Sequence, residues 1–491
     1  MGNTTDPARE SASDGDAVSR SVSAARPNLD TRHNAPIVIC CIALTFIMGC
    51  LLLAHTSGLN GPYYFQWPWK HMSAVRTAGA LGILSLHAAF LVLINSRRVP
   101  FWLALLLLTL CASGMRLGIS TLSAHKTPLD FARDAVSHPG TGSFVAVAQA
   151  LRAADWRMED YPEMTRVFPA HASNKPPGPT MFWLAMLQIS SNQNAALNLG
   201  LVLVSLFGAA SAPLAAVWAR QLGNTREAAL LAGSVLSLLP GTFVYFPLFD
   251  SVYATLALLL VVVWTQVLTR QSTAWSVTFG ALFSLILFCC FQILPIGFLL
   301  FCEIWVLRKG SVPAWMRQVM WWTAVSVGTC AVGLLLLRSL AGYDVIHMFR
   351  VALENQNALM ATYGADQRPY PMSIPWDLYD FALGSGYLAV LLVAAALLAQ
   401  GDRMKCCAPV LSREMKLLSW SGLALLALIA GSGMLPGETA RVWNFLYPVV
   451  ALPAALLLIS LTPRQRLLLL GCQVVMLTIM VHSMTFVSVE Y

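Results

Sequence analysis

Charge is what this 491-residue chain has least of. Only 11% of its residues are Asp, Glu, Lys or Arg, against about one quarter in a soluble domain, while 57% are hydrophobic and the mean hydropathy is +0.65. So deep a shortage excludes a water-soluble globular fold. Also missing is an apolar stretch ending in a small-residue cleavage site near the start: Met1 to Asn34 is polar, rich in Ser, Asp, Arg and Ala. That composition predicts a disordered cytoplasmic tail over 1–35 in place of a signal peptide. None of the eleven cysteines falls in a long polar segment; they sit in or beside apolar runs, or in the Cys406-Cys407 pair next to Lys405. This argues against an extracytoplasmic disulfide framework, no spacing resembles a zinc site, and neither a metal nor a cofactor is expected. The ten-residue alternation of a membrane barrel is absent too. Apolar runs near the roughly 20 residues that cross a bilayer recur from Ile37 to Val481, so the fold class expected is all-α and polytopic.

The formal charge of +8 invites a nucleic-acid reading, but the basic residues follow a different rule. Candidate spans run over 36–54, 78–94, 100–118, 195–219, 228–245, 251–269, 276–290, 291–307, 318–338, 377–399, 417–434, 443–461 and 467–487. With the N-terminus cytoplasmic, every second connection should be basic. Those connections hold Arg97 and Arg98; Arg220 and Arg226; Arg270; Arg308, Lys309 and Arg317; Arg403, Lys405, Arg413 and Lys416; Arg464 and Arg466. About 13 helices within 36–487 satisfy the alternation, and no nucleic-acid partner is expected. Thr180 to Ser191 is read as a helix lying along the outer surface with Phe182 and Trp183 dipping inward, because a further crossing there would invert every later loop. The stretch 276–307, interrupted by Gln292 and Pro295, reads as two short helices or one bent one. Two long segments then face outward, 119–194 and 339–376.

The outward segments carry the ionisable groups. Asp130 and Asp134, in Pro128-Leu129-Asp130-Phe131-Ala132-Arg133-Asp134-Ala135, are helix-cap or solvated acids on one reading and candidate general bases on another, since partial desolvation beside Leu129 and Phe131 raises a carboxyl pKa. Residues 142–155 predict an amphipathic helix with Phe144, Val147, Ala148 and Leu151 on one face. His171 and Lys175 precede Pro176 and Pro177, which fix an extended backbone. A rigid turn bearing cations suits an anionic headgroup, or else anchors a membrane-lying helix. Asp250 opens a span as a cap or as a site acid. Arg441 lies outside against the positive-inside trend, so it needs a partner: Glu438 three residues earlier, or a ligand phosphate. Tyr63-Tyr64-Phe65-Gln66-Trp67-Pro68-Trp69-Lys70 reads as an interfacial aromatic belt or a sugar-stacking surface. The outward stretch 350–380, with Asn355, Gln356, Asn357, Tyr363, Asp366, Arg368 and Tyr370, has acceptor-loop composition without a motif.

Together these pieces resemble the C-type glycosyltransferase superfamily (GT-C), the multi-spanning enzymes that use polyprenyl-phosphate sugars and include protein mannosyltransferases and bacterial aminoarabinose transferases. The resemblance rests on Lys175-Pro176-Pro177 followed by an aromatic short helix, on Phe249-Asp250, and on Gly437-Glu438-Thr439-Ala440-Arg441-Val442-Trp443. The family's paired acids are usually adjacent, whereas Asp130 and Asp134 are four apart, and two extra helices precede the long loop. The resemblance implies a large first extracytoplasmic catalytic loop, a site on the outer face of the bacterial inner (plasma) membrane, and metal-independent inverting transfer from a polyprenyl-phosphate-linked sugar to a glycan, lipid or protein acceptor. Asp134, with Asp130 as competitor, would be the base; Lys175, His171 and Arg441 would hold the donor phosphate, with Asp250 and Glu438 supporting. The rival classes are a transporter or lipid-linked-sugar flippase, which wants ionisable residues near the midplane, where Glu303 and Arg116 are among the few candidates, and an envelope polysaccharide polymerase or ligase.

Overall fold

A computed structural model of the chain describes residues 35–61, 66–124, 126–363, 370–398, 413–433 and 438–487. The expected tail up to Asn34, Tyr63 to Phe65, Asp366 and Arg368, the basic connection with Arg403, Lys405, Cys406 and Cys407, and Pro436-Gly437 lie outside these residues. Among the described residues the secondary structure is helical throughout, apart from an isolated bridge between Trp69 and Met484. Three long helices open the chain: α1 (Ala35–Leu53), α2 (Ala74–Ile94) and α3 (Phe101–Thr121). Ser73 starts α2 by accepting the Arg76 N–H, one of the orphan donors of a helix start.

The first of the two segments expected to face outward is a chain of short helices: α4 (Asp130–Ser137), α5 (Pro139–Ala153), α6 (Tyr161–Met164), α7 (Ala170–Ser173) and α8 (Gly178–Ile189). The expected amphipathic helix is α5, and Phe144, Val147, Ala148 and Leu151 are all buried. α8 has 12 residues, about 18 Å at 1.5 Å per residue. Its Trp183 differs from expectation: the ring is buried in protein against Gly200 of the next helix, where a Cβ would overlap it.

The remaining helices form the bundle. They are α9 (Gln193–Ala209), α10 (Ser211–Gln221), α11 (Arg226–Ser237), α12 (Tyr253–Arg270), α13 (Thr273–Cys289), α14 (Gly297–Val306) and α15 (Val312–Ala341), followed by α16 (Val345–Tyr363), α17 (Ile374–Ser385), α18 (Tyr387–Leu398), α19 (Arg413–Ser432), α20 (Thr439–Val442), α21 (Tyr447–Ser460) and α22 (Pro463–Ser483). By length and composition, eight spans among the described residues suffice to cross a membrane, and the bent pair α17–α18 makes nine. α13, the stretch 294–306 and the stretch 444–460 are apolar but shorter, at 10–17 residues. α11 ends ahead of Pro240, whose ring cannot continue the helix expected over 228–245. The stretch 276–307 is two helices broken over 290–296. α17 and α18 meet at 103° on Gly386, whose φ of +82° disfavours a side chain.

The second outward segment is largely helix where a loop was expected. Asp344 starts α16 by accepting the N–H groups of Ile346 and His347 at 2.9 and 3.0 Å. Low overall hydropathy hid it, because α16 packs on the first outward segment instead of crossing lipid.

Lipid supplies no hydrophobic drive between helices, so close packing of small residues must. α13 and α15 meet in this way: a Cβ on Gly280 would overlap the Ser326 carbonyl and come within 2.9 Å of Cys330 N, and Ser326 Oγ donates to Ser276 O at 3.1 Å. Gly280→Leu should therefore force the two helices apart at a cost of about 1–3 kcal/mol. Thermal unfolding in detergent should show a lowered midpoint, and an unchanged one would refute this contact.

Candidate functional site

Lys175, Asp250 and Arg441 come from three distant parts of the chain and meet in the interior, at 8, 7 and 8% exposure. Arg441 Nε lies 3.2 Å from Asp250 Oδ2, and the Arg441 guanidinium also pairs with Glu438. Lys175 Nζ sits 5.5 Å over the Tyr253 ring and feels Asp250 as its main stabilising charge. His171 is among the strongest charges acting on Asp250. The sequence-nominated Lys175, His171, Asp250, Glu438 and Arg441 thus share one neighbourhood.

Each element places its residue for a visible reason. Pro176 and Pro177 end the turn after α7, and Pro179 sits in the first turn of α8, where its missing N–H costs nothing. Gly178 presses on the end of α13: a Cβ there would come within 2.7 Å of Cys289 Cα and the Phe288 carbonyl. Only glycine lets this turn approach so closely, which carries Lys175 inward. Asp250 lies in the single 3-10 turn Phe249–Val252 that opens α12, and Asn444 Nδ2 donates to its carbonyl at 2.7 Å.

The turn holding Arg441 depends on a residue that sequence reasoning missed. Asp380 of α17 is buried and accepts the Ala440 N–H at 2.9 Å, the Thr439 hydroxyl at 3.3 Å and the Trp67 indole N–H at 2.8 Å. Thr439 also donates to the Asp377 carbonyl at 2.5 Å, and Tyr447 OH donates to the Ala440 carbonyl. Glu438 sits at φ +48°, a left-handed conformation uncommon for a residue with a side chain. Trp67 is therefore an internal donor and not part of an exposed aromatic belt.

α16 clamps the Lys-Pro-Pro turn from outside. Asn355 Nδ2 donates to the Ser173 carbonyl at 2.7 Å and to Thr165 Oγ1 at 3.1 Å, and Asn174 Nδ2 donates to Gln356. Glu354 pairs with Arg166 at 2.7 Å, and His347 with Glu163 at 3.0 Å. The ion pairs are exposed and contribute little, so the half-buried amide bonds carry the register.

The nominated bases stand apart. Asp130, the first residue of α4, uses both carboxylate oxygens locally, accepting from the N–H groups of Lys126, Thr127 (2.8 Å) and Phe131 (2.7 Å), which ties the preceding turn to the start of the helix. Asp134 is exposed on α4, whose Arg133 donates to Asn198 at 3.1 Å. Neither is among the strongest charges felt by Lys175, Asp250 or Arg441. α4 does border the site, since Ala135 packs with Leu248, two residues before Asp250.

Electrostatically the cluster is incomplete. Burial pushes the Lys175 amine down from its ordinary value, with Asp250 acting in the opposite direction. Among the described residues Asp250 Oδ1, Ser251 Oγ and Asn444 Oδ1 are buried without a well-formed hydrogen bond, although the Tyr253 hydroxyl acts on Asp250. Such atoms are few in folded proteins and mark places where a ligand or water completes the set. Of the ionisable residues within spans, Glu303 accepts the Trp218 indole N–H at 2.8 Å and two weaker contacts from Thr265, whereas Arg116 Nη1 is buried beside Gly208 without a hydrogen-bond partner among the described residues.

No protein-family model matches this chain, and no curated protein sequence does.

Asp380→Ala should leave the Trp67 and Ala440 N–H groups buried and unsatisfied, at about 1–3 kcal/mol each. The expected readout is a lower unfolding midpoint together with faster amide exchange over 438–443. Unchanged exchange there would show that Asp380 does not hold the Arg441 turn.

Proposed function

We propose that the chain is a membrane-embedded glycosyltransferase of the GT-C kind, moving a sugar from a polyprenyl-phosphate donor to an acceptor hydroxyl on the extracytoplasmic side. The observation that carries this reading is the buried convergence of Lys175, Asp250 and Arg441 with donors and acceptors left unpaired. A lipid phosphate supplies oxygens for Lys175, Arg441 and His171, while Asp250 and Glu438 hold Arg441 in place and offset its charge.

In the step proposed, an acceptor oxygen attacks the anomeric carbon as Asp134 takes its proton. The bond from that carbon to the phosphate oxygen breaks, its electron pair stays on the departing polyprenyl phosphate, and the anomeric centre inverts. The added negative charge on the leaving group is what Lys175, Arg441 and His171 stabilise, without a metal in this scheme. A second reading gives the base role to Asp250, because its orphaned Oδ1 lies inside the cluster while Asp134 is exposed.

The topology proposed is thirteen crossings with a cytoplasmic N-terminus in a plasma (bacterial inner) membrane. Segments that meet on one side must be separated by an even number of crossings. Between Lys175 and Asp250 lie α9–α10 and α11; between Asp250 and Arg441 lie α12 to α15, α17–α18 and α19; between Lys70 and Ser483, whose backbones bond at 2.9 Å, lie twelve. The eight long spans alone leave one crossing between Lys175 and Asp250, so this topology counts the shorter α11 as a further crossing.

The test is transfer of labelled sugar from a polyprenyl-phosphate donor by the purified protein. Lys175→Gln and Arg441→Gln should abolish detectable transfer, and loss of the base should cost about 10²–10⁴-fold. Asp134→Asn at full rate with Asp250→Asn inactive would move the base role to Asp250. No transfer from any such donor, with substrate flux in vesicles, would replace the enzyme by a transporter.

The pH profile is a separate prediction. Lys175 binds an anion only while protonated, and its lowered pKa means the proton leaves as pH rises below the roughly 10.4 of an ordinary lysine. Activity should fall on the alkaline side with a midpoint below that value, and Lys175→Arg, if active, should move the limb upward. An identical limb in both would assign it to another group.

A further inference from the structure

A second cationic site stands at the mouth of a cavity that the transfer reading leaves unused. The cavity measures about 560 Å³, within the range of small-molecule sites, and opens between the 68–73 segment, the end of α3 and the 484–487 segment. Its rim carries Lys70, His71 and Arg76, and its inner wall carries Phe243, Phe246 and Phe486. Among the described residues no Asp or Glu lines it.

The rim is a built feature. Lys70 N–H donates to the Ser483 carbonyl at 2.9 Å, Met72 N–H to the His482 carbonyl at 3.3 Å, and Thr485 N–H to the Pro68 carbonyl at 2.8 Å, so this segment is stitched to the end of α22. Behind it the aromatic bases stack: His55 on Trp69 at 4.7 Å and on His71 at 4.2 Å, with His482 edge-on to His71 at 6.0 Å. His482 shares a hydrogen bond of 2.8 Å with Thr77, and His55 Nε2 is buried without a partner. The Lys70 amine is pushed down to about 8, by burial first and by Arg76 second. Among the described residues the Arg76 guanidinium reaches the Ala124 carbonyl, at 3.4 Å. Cations gathered in this way repel one another, and an anion removes that cost.

We propose that this cavity binds an anionic amphiphile, a phosphate headgroup carried on an apolar chain, with Lys70, His71 and Arg76 around the phosphate and the phenylalanine wall around the chain. The rim supplies charge-assisted donors, and the interior offers the apolar surface that a free anion would not use. The inference is independent of the transfer reading, because the residues differ from those of the Lys175 cluster and the site holds whether or not sugar is moved.

The test is equilibrium binding of radiolabelled oleoyl lysophosphatidate to the purified full chain in maltoside micelles. Saturable binding is expected, weakened at least tenfold by the double substitution Lys70→Gln and Arg76→Gln, retained in Lys70→Arg, and within about twofold of wild type in Arg157→Gln, an exposed cation outside both sites. Zwitterionic lysophosphatidylcholine should not compete, and inorganic phosphate should compete at least a hundredfold more weakly than unlabelled lysophosphatidate. Equal affinity in the double variant, or an equal loss in Arg157→Gln, would overturn the site. Inorganic phosphate competing as well as the lipid would overturn the amphiphile and leave a free-phosphate site.

Discussion

The constraint on which the rest depends is that charge taken out of water must keep its counter-charge. Lys175 and Arg441 are buried in a helical bundle, and they remain tolerable there because Asp250 lies between them and Glu438 holds the other side of Arg441. Removing any one partner leaves a buried ion uncompensated, which costs several kcal/mol. The cluster therefore couples parts of the chain separated by more than two hundred residues, and their backbones must be held still enough to keep it together.

Three separate devices do that holding. The glycine after the two prolines brings the Lys175 turn against the end of α13, with no room for a side chain. Asp380 gathers two N–H groups and a hydroxyl, fixing the short helix of Arg441 to α17 and to Trp67. α16 lies over the first outward segment and binds it through Asn355 and Gln356. The bundle beneath is assembled by small residues at close crossings, as at Gly280, since lipid gives helices little other reason to associate. Rigid elements thus present a site whose own atoms are incompletely paired, the arrangement expected where a ligand finishes the coordination.

Much of this was legible in the residues. The apolar runs predict where the long helices lie, the face of α5 follows from its period, and Lys175, Asp250 and Arg441 stand out because each breaks a local rule of charge or backbone. What stayed hidden has physical causes. α16 is neither apolar enough to resemble a span nor marked by a motif, and its partner face exists only after the first segment folds. Asp380 sits within an expected span, where nothing local announces that its acceptors face a turn sixty residues later. Trp67 and Trp183 look like interfacial aromatics because composition cannot distinguish a ring facing lipid from one facing protein. Asp130 reads as a base or as a capping or solvated acid until its backbone partners are placed, and they tie it to the turn before α4.

The central claim is that Lys175 and Arg441 grip the same phosphate, and a double-mutant cycle on binding of a short-chain polyprenyl phosphate tests it most directly. If both contact one phosphate, Lys175→Gln and Arg441→Gln will each weaken binding, and the double variant will be tighter than the product of the two losses by about tenfold or more, a coupling of about 1.4 kcal/mol. Strictly multiplicative losses, or no loss in either single variant, would contradict it.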